Sequence, residues 1–188
     1  EVAYGSWAGL ARSYDQAQEG EMHPIIGVIN LDAHFDLRRA PVATSGTPFR
    51  QIASETISAG RPFRYLCLGV SEFANTQALF HTARSLDSTW VLDRELQYGV
   101  PAMLGRFLRS CDQIHLSLDL DVLPAGSMPA VSAPAPLGVP VSVIEEIIEV
   151  VRLSGKLAVA DIAEFNPAFD PTGNGSRLAA RLLLQLAG

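Results

Sequence analysis

Two short stretches carry the residue types that do chemistry in this chain. The first is Asn30-Leu31-Asp32-Ala33-His34-Phe35-Asp36, directly after the apolar run Ile25-Ile26-Gly27-Val28-Ile29. The second is Ser117-Leu118-Asp119-Leu120-Asp121, inside another apolar run that begins at Ile114. In an extended backbone, alternate side chains leave on one face. Asp32, His34 and Asp36 would then point together, and so would Asp119 and Asp121. Asp is also common in turns and caps, so either stretch alone has a plainer explanation. Two such stretches in one chain favour a common purpose, the holding of divalent cations.

Charge sets the number of cations. If the two strand ends are neighbours, four carboxylates and one imidazole meet. Four ionised Asp packed together without cations would repel and raise each other's pKa values. Two divalent cations balance four negative charges, whereas one leaves a surplus. Zinc sites lean on His and Cys. This oxygen-rich set with a single imidazole suits Mn2+, with Mg2+, Fe2+ or Co2+ as alternatives.

Such residues need elements to aim them. Apolar runs predict strands over residues 25–31, 64–70, 89–92, 113–120 and 157–164. Helical spacing predicts helices over 6–18, 47–58, 71–83, 100–110, 142–153 and 175–186. Pro48 suits a first helical turn. Ser71 is expected as an N-cap, and Ser142 with Glu145 as a capping box. Strands alternate with helices throughout. The fold class is therefore α/β, a parallel sheet with helices on both faces. In such sheets ligands bind beyond the carboxyl ends of the strands, where both Asp stretches fall. Residues 123–140 form a Pro-rich loop directly after the second stretch, expected as a stiff wall of the site.

Other residues are candidates for the same rim. Glu164 ends the last predicted strand, and a carboxylate there can bind a planar cationic nitrogen group, or else cap a turn. Arg38 and Arg39 closely follow the first stretch, and Arg50 follows Ser45-Gly46-Thr47-Pro48-Phe49. Arginine is the preferred partner of carboxylates, although surface Arg is commonplace. His115 lies four residues before Asp119, too far along a strand to join the same centre. His23 and His81 read as surface residues. No Ser/His/Asp set and no phosphate-cradling Gly loop is evident.

Composition bounds the rest. The chain has 188 residues, 48% of them hydrophobic, which suffices for one sizeable core, so residues 1–188 are read as a single domain. The net charge of -6 and the lack of a basic cluster argue against nucleic acid as partner. Two scattered cysteines, Cys67 and Cys111, make no disulfide framework. No run is long enough for a membrane span or signal peptide, so a cytoplasmic enzyme with a small-molecule substrate is the default. The oligomeric state is left open, and a homo-oligomer is compatible with the sequence.

Taken in order, Asp32-Ala33-His34-Phe35-Asp36, Ser117-Leu118-Asp119-Leu120-Asp121 and Glu164-Phe165-Asn166-Pro167 resemble the motifs of the ureohydrolase (arginase/agmatinase) superfamily along most of the chain. The loop Ser45–Arg50 is similar to the formimidoylglutamase branch. Arginases and agmatinases carry a proton-shuttling His where Phe49 stands, and arginases hold the substrate's carboxylate with a neutral residue where Arg38 stands. Leu123-Pro124-Ala125-Gly126 also resembles this branch.

The resemblance implies an arginase-like three-layer fold and a binuclear manganese hydrolase. It implies cleavage of a linear amidine C–N bond, with N-formimidoyl-L-glutamate and water giving L-glutamate and formamide. Asp32 and Asp119 would bridge two Mn2+ ions, His34 and Asp121 would complete one, and Asp36 would bind the other. Asp36 would also relay a proton to the leaving nitrogen, and Glu164 would hold the formimidoyl nitrogen. Arg38, Arg50 or both would orient the acidic substrate. In the family a Gly-rich turn with a further metal-binding His would fall just before Glu1. The chain is therefore expected to be roughly the last three-fifths of such an enzyme, lacking the N-terminal strands and with one ion short of a ligand. The alternatives are another ureohydrolase acting on a guanidino compound, and a metal-binding fragment with impaired catalysis.

Overall fold

In the computed structural model, which describes residues 2–17 and 23–188, the apolar runs become five strands. They are β1 (Ile26–Leu31), β2 (Arg64–Val70), β3 (Thr89–Leu92), β4 (Gln113–Asp119) and β5 (Leu157–Ala163). Every neighbouring pair is parallel, in the order β3-β2-β1-β4-β5. β1, β2 and β4 are buried on both faces along nearly their whole length. That is why they read as continuous apolar runs rather than as alternating ones.

Six helices cover the sheet: α1 (Val2–Ala17), α2 (Pro48–Ser58), α3 (Gln77–Ser85), α4 (Ala102–Arg109), α5 (Val141–Leu153) and α6 (Asn174–Ala187). Strand alternation sorts the core into two layers. Val28, Tyr65 and Cys67 face α1, α2 and α3, packing with Trp7, Phe49, Ile52 and Phe80. Ile29, Leu31, Leu66, Leu116 and Leu118 face α4, α5 and α6, packing with Leu104, Ile144, Ile147 and Leu182. The architecture is the α/β arrangement expected, a parallel sheet between two helical layers. No helix among the described residues is long and apolar enough to cross a membrane.

Several element starts differ from expectation, each for a local reason. α1 begins at Val2, ahead of Ser6, and its expected end at Gln18 lies outside the described residues, as does Glu1. α3 begins at Gln77, and Thr76 rather than Ser71 caps it by accepting from the Leu79 N–H. Ser71 is instead tied to the first stretch, its N–H donating to the Ala33 carbonyl, and residues 72–75 form a turn that separates it from the helix start. α5 begins at Val141, with Pro140 at the cap and no side-chain cap. The capping box expected of Ser142 and Glu145 does not form. Glu145 instead pairs with Arg181 on α6. α6 is capped from outside by Asp170, which accepts from the Gly175 and Ser176 N–H groups.

Two glycines matter to the site. Gly69, at φ +103 in an irregular part of β2, lies where a Cβ would sit 2.4 Å from the Val122 side chain. Gly138, at φ +62, lies where a Cβ would sit 2.4 Å from the Pro124 nitrogen. Both let the segment after β4 close down on the sheet.

Candidate metal centre

Leu31 on β1 pairs with Leu118 on β4, the adjacent strand. The next residue on each strand is therefore the first Asp of its stretch, Asp32 beside Asp119. Asp119 in turn pairs with Ala163 on β5, which brings Glu164 to the same edge.

The backbone beyond each strand end is not extended, contrary to the same-face expectation. β1 stops at Leu31, and Asp32 Oδ1 accepts from the His34 N–H at 2.6 Å. At the end of β4, Asp119 Oδ1 accepts from the Asp121 N–H at 2.9 Å, and Asp121 sits in a short 3-10 turn. A short carboxylate bonding the backbone two residues on is a turn device that competes with strand continuation. The two turns bring the stretches into direct contact. His34 Nδ1 lies 2.9 Å from Asp121 Oδ2 and 3.4 Å from Asp32 Oδ1. The Ala33 N–H donates to Asp121 Oδ1 at 3.3 Å.

Asp32, His34 and Asp121 each offer one ligand atom, all within 4.8 Å of one another. Asp36 and Asp119 are not in that triad but line the adjoining cavities. One, of about 470 Å³, is lined by Asp32, Asp36, Asp119 and Glu164 together with Phe49 and Ser117. The other, of about 160 Å³, is lined by His34, Asp36, Asp119, Asp121, Arg38 and Glu164. Among the described residues, Asp36 and Glu164 are two of the three non-glycine residues with positive φ, at +49° and +66°. Such backbone conformations cluster at functional sites, where surrounding structure holds them.

The electrostatics follow from burial. Desolvation, with the nearby Asp121 charge, pushes Asp32 up to about 6. Desolvation and the Asp32 charge push Asp36 up to about 8. Burial and the charges of Asp32 and Asp121 raise Asp119 well above the usual carboxylate range. Hydrogen bonds to Asp121 and Asp32 raise His34 to about 11. A proton on His34 would supply one of the positive charges that the carboxylates favour. A divalent cation supplies more, and the donor set of carboxylate oxygens with one imidazole fits Mn2+ and its hard or borderline neighbours. Asn30 supports that fit. Its Nδ2 donates to Asp32 Oδ2 at 2.9 Å, while its buried Oδ1 has no partner.

The remaining candidates divide. Glu164 faces both cavities, and the exposed Ser132 donates to its Oε2 at 2.6 Å. Ser132 belongs to the loop expected as a wall, and that loop is tied down by the Val139 N–H to Val122 carbonyl bond and by buried Met128, Ala130 and Val131. Arg38 is exposed and lines the smaller cavity. Arg50 is not brought there. It lies on α2 in two outer grooves, shared with Arg38 and Arg39, because Phe49 takes the inward position and stacks 4.9 Å from Tyr65.

Sequence reasoning missed three features. One is Asn30, which its position in β1 aims at Asp32; a polar residue inside an apolar run is the signal. Ser132 carried none, because the contact spans 32 residues. The third is a buried Ser/His/Asp set where none was expected. His115 Nε2 lies 2.6 Å from Asp161 Oδ2, and Ser117 Oγ donates to Asp161 Oδ1 at 2.7 Å. Parallel pairing of β4 with β5 makes it, through Ser117 opposite Asp161. Ser117 bonds the carboxylate and not the imidazole, so this is not a nucleophile with its base.

Carboxylates and one imidazole gathered at the carboxyl edge of a parallel sheet define an α/β protein with a donor set that could hold a divalent cation. The chain belongs to the arginase family, whose description fits residues 1–188. It is 51% identical over 191 residues to the formimidoylglutamase of Chromobacterium violaceum, with 100% of this chain and 60% of that protein covered. Among solved structures, it resembles the formimidoylglutamase from Bacillus subtilis with a TM-score of 0.84 and 26% identity, over 98% of this chain and 56% of that one. It also shares its fold with Trypanosoma cruzi formiminoglutamase, solved with Mn2+, at a TM-score of 0.79 and 24% identity over 95% of this chain and 60% of that one. The chain spans about 60% of the length of the curated relatives it matches.

Proposed function

We propose that the protein bearing this chain is a binuclear manganese hydrolase that cleaves N-formimidoyl-L-glutamate to L-glutamate and formamide, a cytoplasmic step of histidine breakdown. Residues 1–188 act in it as one α/β unit. The observation that carries the reading is the level placement of Asp32 and Asp119, which lets two Asp-bearing turns converge on one volume. The relatives' names supply the reaction.

Asp32, Asp119, His34 and Asp121 would hold one ion, and Asp32, Asp119 and Asp36 the other. When bound, the ions would acidify a water and polarise the amidine. Glu164 would accept a hydrogen bond from an amidine N–H, with its carboxylate oriented by Ser132. Water adds to the amidine carbon, the bond from that carbon to the glutamate nitrogen breaks, and Asp36 would deliver a proton to the departing nitrogen. Arg38 would face a substrate carboxylate from the cavity rim. Phe49 supports the amidine acid over guanidino substrates, because its buried ring cannot carry a proton.

The test is a kinetic panel with Mn2+ present, alongside a metal count. Turnover of formimidoylglutamate far above arginine and agmatine, with two Mn2+ per chain, is expected. Preference for arginine or agmatine overturns the substrate assignment, and one bound ion or none overturns the binuclear centre.

A further inference from the structure

Residues 33–35 leave the sheet, so their peptide groups need partners that no strand ladder supplies. Every one has a partner. The Ala33 N–H donates to Asp121 Oδ1, and the Ala33 carbonyl accepts from the Ser71 N–H at 3.0 Å and from Asn75 Nδ2 at 2.9 Å. The His34 N–H donates to Asp32 Oδ1, and the His34 carbonyl accepts from Cys67 Sγ at 3.3 Å. The Phe35 N–H donates to Asn75 Oδ1 at 3.1 Å, and the Phe35 carbonyl accepts from the Tyr65 hydroxyl at 2.8 Å.

Asn75 is the hub of this pattern. One side-chain amide takes the carbonyl before His34 with its nitrogen and the N–H after His34 with its oxygen. The same nitrogen reaches the Ser71 carbonyl at 2.9 Å, which anchors it to the turn after β2. Tyr65 adds a second hold one peptide further on, immediately before the strained Asp36. Its hydroxyl stays a donor, since burial drives its ionisation well above the ordinary range. Asn75 and Tyr65 are both buried, and neither lines a cavity that opens on the carboxylates. The Tyr65 hydroxyl also accepts from Asn30 Nδ2 at 3.1 Å and its ring packs on Phe49, so it stands behind the larger cavity's wall without lining it.

We infer that Asn75 and Tyr65 are positioning residues, which hold the peptide groups on both sides of His34 so that His34 and Asp36 are preorganised to receive divalent cations. The inference rests on the metal-centre reading above. Residues that orient metal ligands through hydrogen bonds are worth about 10- to 100-fold in affinity elsewhere. Asn75 and Tyr65 would do so through the ligands' own backbone.

The experiment compares wild type, Asn75→Ala and Tyr65→Phe by Mn2+ titration and by amide hydrogen exchange of the 32–36 segment without metal. Leu182→Ala, which hollows the opposite core layer, controls for general loss of stability. Asn75→Ala is expected to weaken Mn2+ binding about tenfold, Tyr65→Phe less, and both to speed exchange of the segment. Leu182→Ala should lower the melting temperature and leave Mn2+ affinity unchanged. Tyr65→Phe keeps the ring that packs between Phe49 and Phe63, so it tests the idea even if Asn75→Ala does not fold. Wild-type affinity and wild-type exchange in both variants overturn the inference. A wild type that binds no Mn2+ overturns the metal-centre reading, and the exchange comparison then decides this inference by itself.

Discussion

Asp32 and Asp119 stand level at the ends of two adjacent parallel strands, because Leu31 is the register partner of Leu118. Parallel strands lie about 4.8 Å apart. Two carboxylates at that spacing, each followed by a turn toward the other, concentrate negative charge that protons or cations would relieve. A one-residue slip between β1 and β4 would aim alternate side chains to opposite faces.

The partner ligands of His34 set the first prediction. Asp121→Asn removes a charge that touches both His34 and the Ala33 N–H. Bound Mn2+ per chain should fall below two, and kcat should drop on the order of 100-fold or more. Metal analysis and steady-state kinetics check it. Undiminished Mn2+ content would remove Asp121 from the ligand set.

Acid–base linkage in the metal-free protein gives the second. Asp32 and Asp36 rise to about 6 and about 8 from an ordinary value of 3.8, and His34 rises to about 11 from 6.5. All three folded values exceed the unfolded ones, so the native state holds more protons than the unfolded chain. Stability from the carboxyls is fully present below about pH 4 and is lost as pH rises through about 6 and then about 8. The His34 contribution is fully present below about pH 6.5 and declines from there as pH rises through about 11. The melting temperature in chelator should therefore fall from pH 5 to pH 9. Mn2+ should offset that fall, since its ligands must be deprotonated. A flat chelator curve would contradict the burial of these carboxyls.

Ser132 and Glu164 offer a test of substrate orientation. Ser132→Ala frees one carboxylate oxygen without altering charge. KM should rise roughly tenfold, the equivalent of about 1.4 kcal/mol, with Mn2+ content unchanged. Glu164→Gln should cost more, since it also removes the anion. A Ser132→Ala enzyme with wild-type KM would mean that Glu164 needs no such support.

The buried network behind the site concerns stability. Burial alone would raise Asp161, yet bonds from His115, Ser117 and Ser6 more than offset it and leave its carboxyl below the ordinary value. Asp161→Ala strands His115, which is fully buried and whose Nδ1 already lacks a partner. A loss of about 3 kcal/mol is expected, or roughly 10 °C in melting temperature for a chain of this size. Thermal unfolding checks it. A shift within about 2 °C would show that the pair contributes little net stability.

Much of this was legible in the residues themselves. Near-continuous apolar runs gave the strands of a doubly covered sheet, because burial on both faces suppresses alternation. Charge arithmetic over Asp32, Asp36, Asp119 and Asp121 pointed toward cations, because carboxylates do not crowd without compensation. Cap positions were less legible. Ser71 and Ser142 have the right chemistry for a cap, but tertiary hydrogen bonds to Ala33 and the ion pair between Glu145 and Arg181 took precedence.

The local sequence thus marked which groups could do chemistry and determined which segments carry them. The tertiary structure alone decided their meeting: the register of Leu31 with Leu118, the turns that replace straight strand ends, and the exclusion of Arg50 from the inner cavities. Contacts such as Ser132 with Glu164, or Asn75 with the peptides around His34, join residues more than 30 positions apart. No local pattern encodes them, because they depend on which strands become neighbours and on how the loops between them are tied down.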